Sequence, residues 1–563
     1  MIHPLAPSSR QLLNRILDQP DLARTVRSLE PKVLNQLIRR CGLEDTGEVI
    51  ALASSEQLMH IFDDDLWQCG RAGEEEQFDA ERFGLWLEVL AGMGPPVAAE
   101  KIAGMDLDFV TGAFSRHILV LDDAWMALRM MAYSEGGDVD PSEWERASWA
   151  EKALEGSLSH EFSGCTVVSK RDAFWDAVLL VLLELEDGFP EFFGELMERC
   201  ARIDAAQLES DGGLYEVLTE GERVMSDVAA DREARRALEG YVDPVGAAAF
   251  LAAARQWKPG GPGSTRDTFA DTVRENHLRS LKDRAGQGAG TGEGARVVGE
   301  ERESGLAALL RECDLFPGGR ALLPAGGPAP GVDRLARIRE ELQYVRRADP
   351  AVFSERMDEL AFLANVLVAG CSFQSRRFRP VEAADAALAA CSLGLEVWPH
   401  RGGERDAGSE GAFRDRGDAR PPLGFLLGQD LVPVFKAGWN VIYERVSLYV
   451  AKSLAGILDR LRCEEPRLRR DLAELGRRLK RRVREGTPWK ERDNLDIIAL
   501  LDQPAWAVLA GLLDECPVVP RFDATETGAP ESRRIAATRE FISGIAQVQA
   551  VERFVESLPD LLP

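Results

Sequence analysis

The residues Pro31–Trp67, PKVLNQLIRRCGLEDTGEVIALASSEQLMHIFDDDLW, decide how the chain is read. Val33, Leu34, Leu37 and Ile38 recur at helical spacing and predict one buried helix face. Gly42 stops that helix, because glycine enters the left-handed cap conformation without a Cβ penalty. Leu43–Ala53 restarts it with Val49, Ile50 and Ala53 inward. Ser54 or Ser55 then caps a third helix whose apolar face is Leu58, Ile61 and Phe62. Helices this short are marginal alone and must stack on neighbours.

The neighbours are visible 52 residues further on, where Leu85–Phe114 overlies Val33–Phe62 without a gap. Gly42 meets Gly94, Glu48 meets Glu100, Ile50 meets Ile102, Ala51 meets Ala103 and Phe62 meets Phe114. Apolar positions agree as well: Leu37 with Val89, Ile38 with Leu90, Ala53 with Met105, Leu58 with Val110. A recurring helix–glycine–helix–turn–helix unit is the pattern of a stacked helical array.

The chain has 563 residues, more than one core usually supports. Its formal charge, 68 − 94 = −26, argues against wholesale binding to nucleic acid or anionic membrane. The nine cysteines are scattered and odd in number, with no C-x-x-C pair, which reads as reduced thiols in a cytoplasmic protein. The start, MIHPLAPSSRQLLNRIL, lacks the uninterrupted apolar core of a signal peptide. The most apolar run, Ala173–Leu185, is broken by Asp176 and Glu184, too short to span a bilayer, and is expected to be a buried helix.

The expected architecture is therefore predominantly all-α. Residues 1–256 form a helical-repeat domain, with a small β or irregular insertion at 121–170, where EFSGCTVVS (Glu161–Ser169) is a candidate strand or hairpin. Residues 257–331 have the Gly/Pro-rich composition of a flexible linker, seen in KPGGPG (258–263), QGAGTGEGA (287–295) and FPGGRALLPAGGPAPG (316–331). Residues 332–563 form a second helical region with a loop at 400–422.

The stretch GLEDTGEVIALASSEQLMHIFDDDLW, followed by the helix holding Trp86–Glu88, resembles an uncharacterised bacterial family defined only as a domain of unknown function. ALEGYVDPVGAAAFLAAA (237–254), the Glu359–Glu396 segment and GQDLVPVFKAGW (428–439) extend the resemblance. It implies no activity and assigns no functional residue. More distantly, Leu29–Phe114 is similar to the helical superhelix domains of bacterial magnesium transporters and flagellar rotor switch proteins, which implies an interaction or regulatory array.

Asp63, Asp64 and Asp65 are the candidate cation ligands. Hard cations need several oxygens converging on one point. Consecutive aspartates diverge, so Asp106, Asp108, Asp122 and Asp123 would have to assist; the plainer reading is a solvated turn with one helix cap. The histidines His3, His60, His117, His160, His277 and His400 have no metal-binding spacing. Gly290–Ala295 has loose G-x-G-x-x-A spacing but follows no strand, so a dinucleotide site is rejected and no cofactor is expected.

Cys371 precedes Arg376, Arg377 and Arg379, a cationic neighbourhood that can activate a thiol; the alternative is a helix end whose arginines complement its carbonyls. Leu461–Lys490 is the one basic region. Arg477, Arg478, Arg481 and Arg482 there are candidates for contact with nucleic acid or an acidic partner, against the simpler reading of a solvated helix face. No catalytic motif emerges. The favoured reading is an interaction scaffold or regulatory module with a protein partner. The rivals are an enzyme using Cys371 and a nucleic-acid-associated factor using the basic helix.

Overall fold

The computed structural model describes residues 17, 21–122, 157–209, 220–238, 240–257, 334–374, 376–398, 421–460, 466–485, 503–520 and 539–561. Those residues are predominantly α-helical with short antiparallel strands. The chain divides into two compact units. Among the described residues, the first takes in those through Gln68 and Glu76–Arg236; the second takes in the loop Cys69–Glu75 and those from Ala237 onward. The linker compositions at 258–263, 287–295 and 316–331, the 290–295 spacing and most of the 400–422 loop lie outside the described residues.

In the first unit Pro31 opens the helix Pro31–Cys41, and Val33, Leu34, Leu37 and Ile38 are buried on its inner face. Gly42 ends it at φ 102°. The helix Gly47–Leu52 follows, then Ser55–Asp65, which opens on a full capping box. The Ser54 hydroxyl accepts from the Gln57 backbone N–H at 3.1 Å, and the Ser54 N–H donates to the Gln57 side chain at 2.9 Å. The Gln57 amide also donates to the carbonyls of Val26 and Leu29, tying this helix to the end of helix Leu22–Ser28.

A second group repeats the order: Ala80–Gly92, Gly94 at φ 126°, Pro95–Ala103, then Leu107–Phe114 capped by Asp106. Leu37 is fully buried, but Val89 is only half-buried, because Phe83, Trp86, Leu87 and Leu90 form the inward stripe of its helix. The two groups pack closely. A Cβ on Gly104 would lie 2.5 Å from the Ser55 hydroxyl, which donates to the Lys101 carbonyl. Phe62 packs edge-on against Trp86 (5.0 Å) and Phe83 (6.3 Å), at the centre of an aromatic knot in this core.

Helix Leu107–Phe114 gives way at Ile118 to a three-stranded antiparallel sheet in the order Ile118–Asp122, Cys165–Ser169, Ser159–Phe162. The candidate strand or hairpin at 161–169 is a hairpin, and its second strand is buried throughout as the central strand. Phe174 then adopts a left-handed conformation, rare for a residue with a side chain (φ 68°). Its ring takes the place of the missing Cβ of Gly84, which would lie 2.4 Å away. Helices Trp175–Gly188, Pro190–Glu209 and Glu220–Leu238 complete the unit.

The second unit has its own core. Helices Pro380–Val397 and Leu431–Val441 touch backbone to backbone: a Cβ on Gly394 would fall 1.9 Å from the Val434 carbonyl, and one on Gly438 equally close to that of Ala390. Leu431–Arg460 is one continuous helical run, interrupted by a π-helical segment at Ile442–Leu448. Buried Arg356 ties Glu359 (3.0 Å) to Asp430 (2.9 Å) and donates to the Leu426 carbonyl, while Glu341 accepts from the Leu426 N–H.

His117, in the first unit, is buried. Its Nε2–H donates to the Ala80 carbonyl at 2.9 Å, Phe83 and Phe174 flank the ring, and among the described residues buried Nδ1 has no partner. Burial pushes its pKa down to about 4, and the nearby Arg171 pushes the same way. The unfolded chain binds this proton near 6.5, so the stability due to the neutral ring is complete above that pH. It is lost as pH falls from 6.5 toward 4, by about 3 kcal/mol in all. An NMR titration of the His117 ring should give a midpoint near 4, and a midpoint near 6.5 would contradict this environment.

Candidate functional site

Asp63, Asp64 and Asp65 form the last turn of the helix Ser55–Asp65. Negative charge at a helix C-terminus opposes the helix dipole, so this run requires cationic partners. Helix Glu220–Leu238 supplies three of them from one face, since Arg232, Arg235 and Arg236 are spaced i, i+3, i+4. Arg235 grips the Asp63 carboxylate with two hydrogen bonds of 2.8 Å. Arg232 donates through Nε to the Asp63 carbonyl at 2.7 Å and through Nη2 to Glu76 at 2.6 Å, and its guanidinium lies 4.7 Å from the centre of the Trp67 ring. Arg236 joins Glu76 at 2.7 Å and approaches Asp64 at 3.7 Å.

The remaining carboxylates turn elsewhere. Asp64 accepts from the Asn35 amide, and its carbonyl accepts from Arg39. Asp65 accepts from Arg82 at 2.7 Å and from the Trp86 indole N–H at 2.8 Å. The hydrogen bond to Asp63 raises the pKa of Arg235; burial lowers that of Arg232, with repulsion from Arg236, against the pull of Glu76. The aspartates therefore diverge into three separate pairings. Of the supporting acids, Asp106 caps a helix and Asp108 pairs with Arg199, while the Asp122 side chain and Asp123 lie outside the described residues. No group of three or more metal-ligating side chains occurs among the described residues. The sequence reading had the divergence but missed the partners. Their signal was available: an acidic run at a helix end, and an arginine face in DREARR.

Cys371 is buried, and burial first, then Cys516 and Glu515, pushes its thiol well above the usual range. That is the opposite of an activated nucleophile. Arg376 forms two hydrogen bonds to Glu382 (2.7 and 2.8 Å), which hold that carboxyl down at about 2. The Arg379 N–H donates to Glu382, while Arg377 donates to the sulfur of Cys69 at 2.7 Å. The three arginines brace the hairpin Ser372–Arg377 and the start of the next helix.

In the basic helix Pro466–Glu485, Leu475 and Leu479 are buried and Arg478 pairs with Glu474. Arg477 and Arg481 are exposed. The side chain of Arg482 lies outside the described residues.

One surface was not anticipated. The helix Trp175–Gly188 is buried on one face only, through Trp175, Val178, Val181, Leu182 and Leu185. Leu180 (44% exposed) and Leu183 (37% exposed) stand on the outer face. Exposed Asp176 and Asp187 bracket them at helical spacing, and among the described residues neither aspartate has an ionic partner. A helix apolar all round is ordinarily buried on every side. The sequence signal was that the inward stripe is already complete without Leu180 and Leu183.

If the acidic run serves the fold, added calcium or magnesium will leave the thermal midpoint unchanged, whereas Asp63→Asn will destabilise the first unit by about 2 kcal/mol. A cation-dependent rise in the midpoint that Asp63→Asn abolishes would restore the metal reading.

No match is found among curated proteins or solved structures, so the likeness to transporter and rotor-switch domains carries no argument. No helix among the described residues is long and apolar enough to cross a membrane. Residues 3–212, less than half of the chain, match the model of a family of unknown function (DUF6178), a span that holds the two helix groups, the sheet and the leucine-bearing helix but stops short of the arginine helix and of the stretches at 237–254, 359–396 and 428–439.

Proposed function

We propose that this chain is a cytoplasmic interaction scaffold or regulatory module whose first unit is a short helical-repeat array that engages a protein partner. The observation that carries the reading is the Asp176–Leu180–Leu183–Asp187 stripe, an apolar strip with acidic ends on the outside of a well-packed helix. Exposed leucines side by side are where a partner gains most from burial. The acidic ends favour a partner segment with basic residues around its apolar contact. The repeat is supported by paired helix boundaries: Gly42 and Gly94 both have positive φ, and Ser54 and Asp106 both cap the third helix of their group. Asp63, Asp65 and Arg376 are engaged in ion pairs that hold the fold and Cys371 is buried, which favours a scaffold over a catalyst.

The test is affinity capture from the native host with the wild-type chain and with Leu180→Lys/Leu183→Lys, whose exposed positions should tolerate the change. The reading expects one protein partner to be retained by the wild type and lost by the variant, with the circular dichroism of the two alike. Equal capture by both, or a bound small ligand with no protein partner, would contradict it.

A further inference from the structure

A cavity of about 610 Å3 opens in the first unit between the sheet and the helix Pro190–Glu209. Its size falls in the range of small-molecule sites. Val120 from the first sheet strand and Cys165 from the hairpin form one wall, and Phe193 and Met197 from the helix form the other; all four are buried. The helix presents one continuous face to it, from Pro190 to Arg202, about 18 Å of groove at the rise of an α-helix. In the middle of that face is Gly194, where an added Cβ would meet nothing within 4 Å among the described residues. The space above the helix is therefore open to an occupant.

The polar groups at the cavity are Glu186, Glu198, Arg202 and the turn Ser163–Gly164. One Glu186 oxygen accepts from the Ser163 N–H at 3.1 Å. Glu198 and Arg202 are one helical turn apart, yet among the described residues neither forms an ion pair with the other or with any other group. Carboxylates therefore outnumber guanidinium in the lining. The surroundings add to this: from Asp176 to Ile203 the sequence carries seven acidic residues and two basic ones, and one of the two, Arg199, is committed to Asp108. Such a field attracts cations into an apolar cleft, and Phe193 adds an aromatic wall of the kind that favours them.

We propose that this cavity binds an aliphatic amine, with its ammonium group held by Glu198 and Glu186 and its hydrocarbon body against Val120, Phe193 and Met197. The site is independent of the leucine stripe and of any protein partner.

Calorimetric titration of the full chain with n-octylammonium, and with octanoate as a probe of the same apolar body and opposite charge, tests it. Octylammonium should bind and octanoate should not. Gly194→Leu, which fills open space and raises helix propensity, should weaken octylammonium binding at least about tenfold, the loss expected when the apolar body is displaced. Glu198→Gln, a change at an exposed position, should weaken it by about five- to tenfold through loss of the charge-assisted contact. Absence of binding by octylammonium, octanoate binding equally well, or unchanged octylammonium affinity in Gly194→Leu would overturn the proposal.

Discussion

Three carboxylates at the negative end of a helix are an electrostatic liability, and the first unit is arranged around relieving it. Asp63, Asp64 and Asp65 are answered by Arg39, Arg82, Arg235 and Arg236, and Arg232 satisfies the Asp63 carbonyl. The same arginine face closes on Glu76, which sits where the chain returns from the loop Cys69–Glu75. Arg232 and Glu76 are both nearly inaccessible, with side chains 4% exposed. Charges at that depth are tolerated only when each has its partners, and removing one leaves the other stranded. The run of aspartates thus fixes where helix Glu220–Leu238 lies against the end of helix Ser55–Asp65.

Local features were legible because local rules govern them. Gly42 as a stop, Ser54 as a cap, the inward stripe of Pro31–Cys41 and the hairpin near Gly164 each follow from a few neighbouring residues. The acidic helix end and the arginine face of DREARR were each legible, but not their pairing, since Asp63 and Arg235 are 172 positions apart and nothing local joins them. The leucine stripe was hidden for another reason. Ala173–Leu185 is apolar on every side, and periodicity alone does not say that only one side finds a core. The burial of His117 was not legible either, because it lies past the helix Leu107–Phe114, just before the sheet begins, and its partner Ala80 is distant in sequence.

In the second unit the governing constraint is steric. Gly394 and Gly438 let two helices meet at backbone distance, and the alanines of Pro380–Val397 extend that contact. Side chains of ordinary size would force the helices apart, so this interface tolerates little substitution. Cys371 and Cys391 are both sealed in the core of this unit, and burial raises both of their pKa values.

The claim that the acidic helix end is held by the arginine helix is tested most directly by a double-mutant cycle on Arg232 and Glu76. Arg232→Gln, Glu76→Gln and the double variant would be compared by urea dependence of hydrogen exchange in Ser55–Asp65 and Glu220–Leu238. Each single change should cost about 3 kcal/mol, because it strands a buried charge, and the double change should cost clearly less than their sum, with a coupling of about 2 kcal/mol. Additive costs, or single changes that leave the exchange of both helices unaltered, would contradict the account.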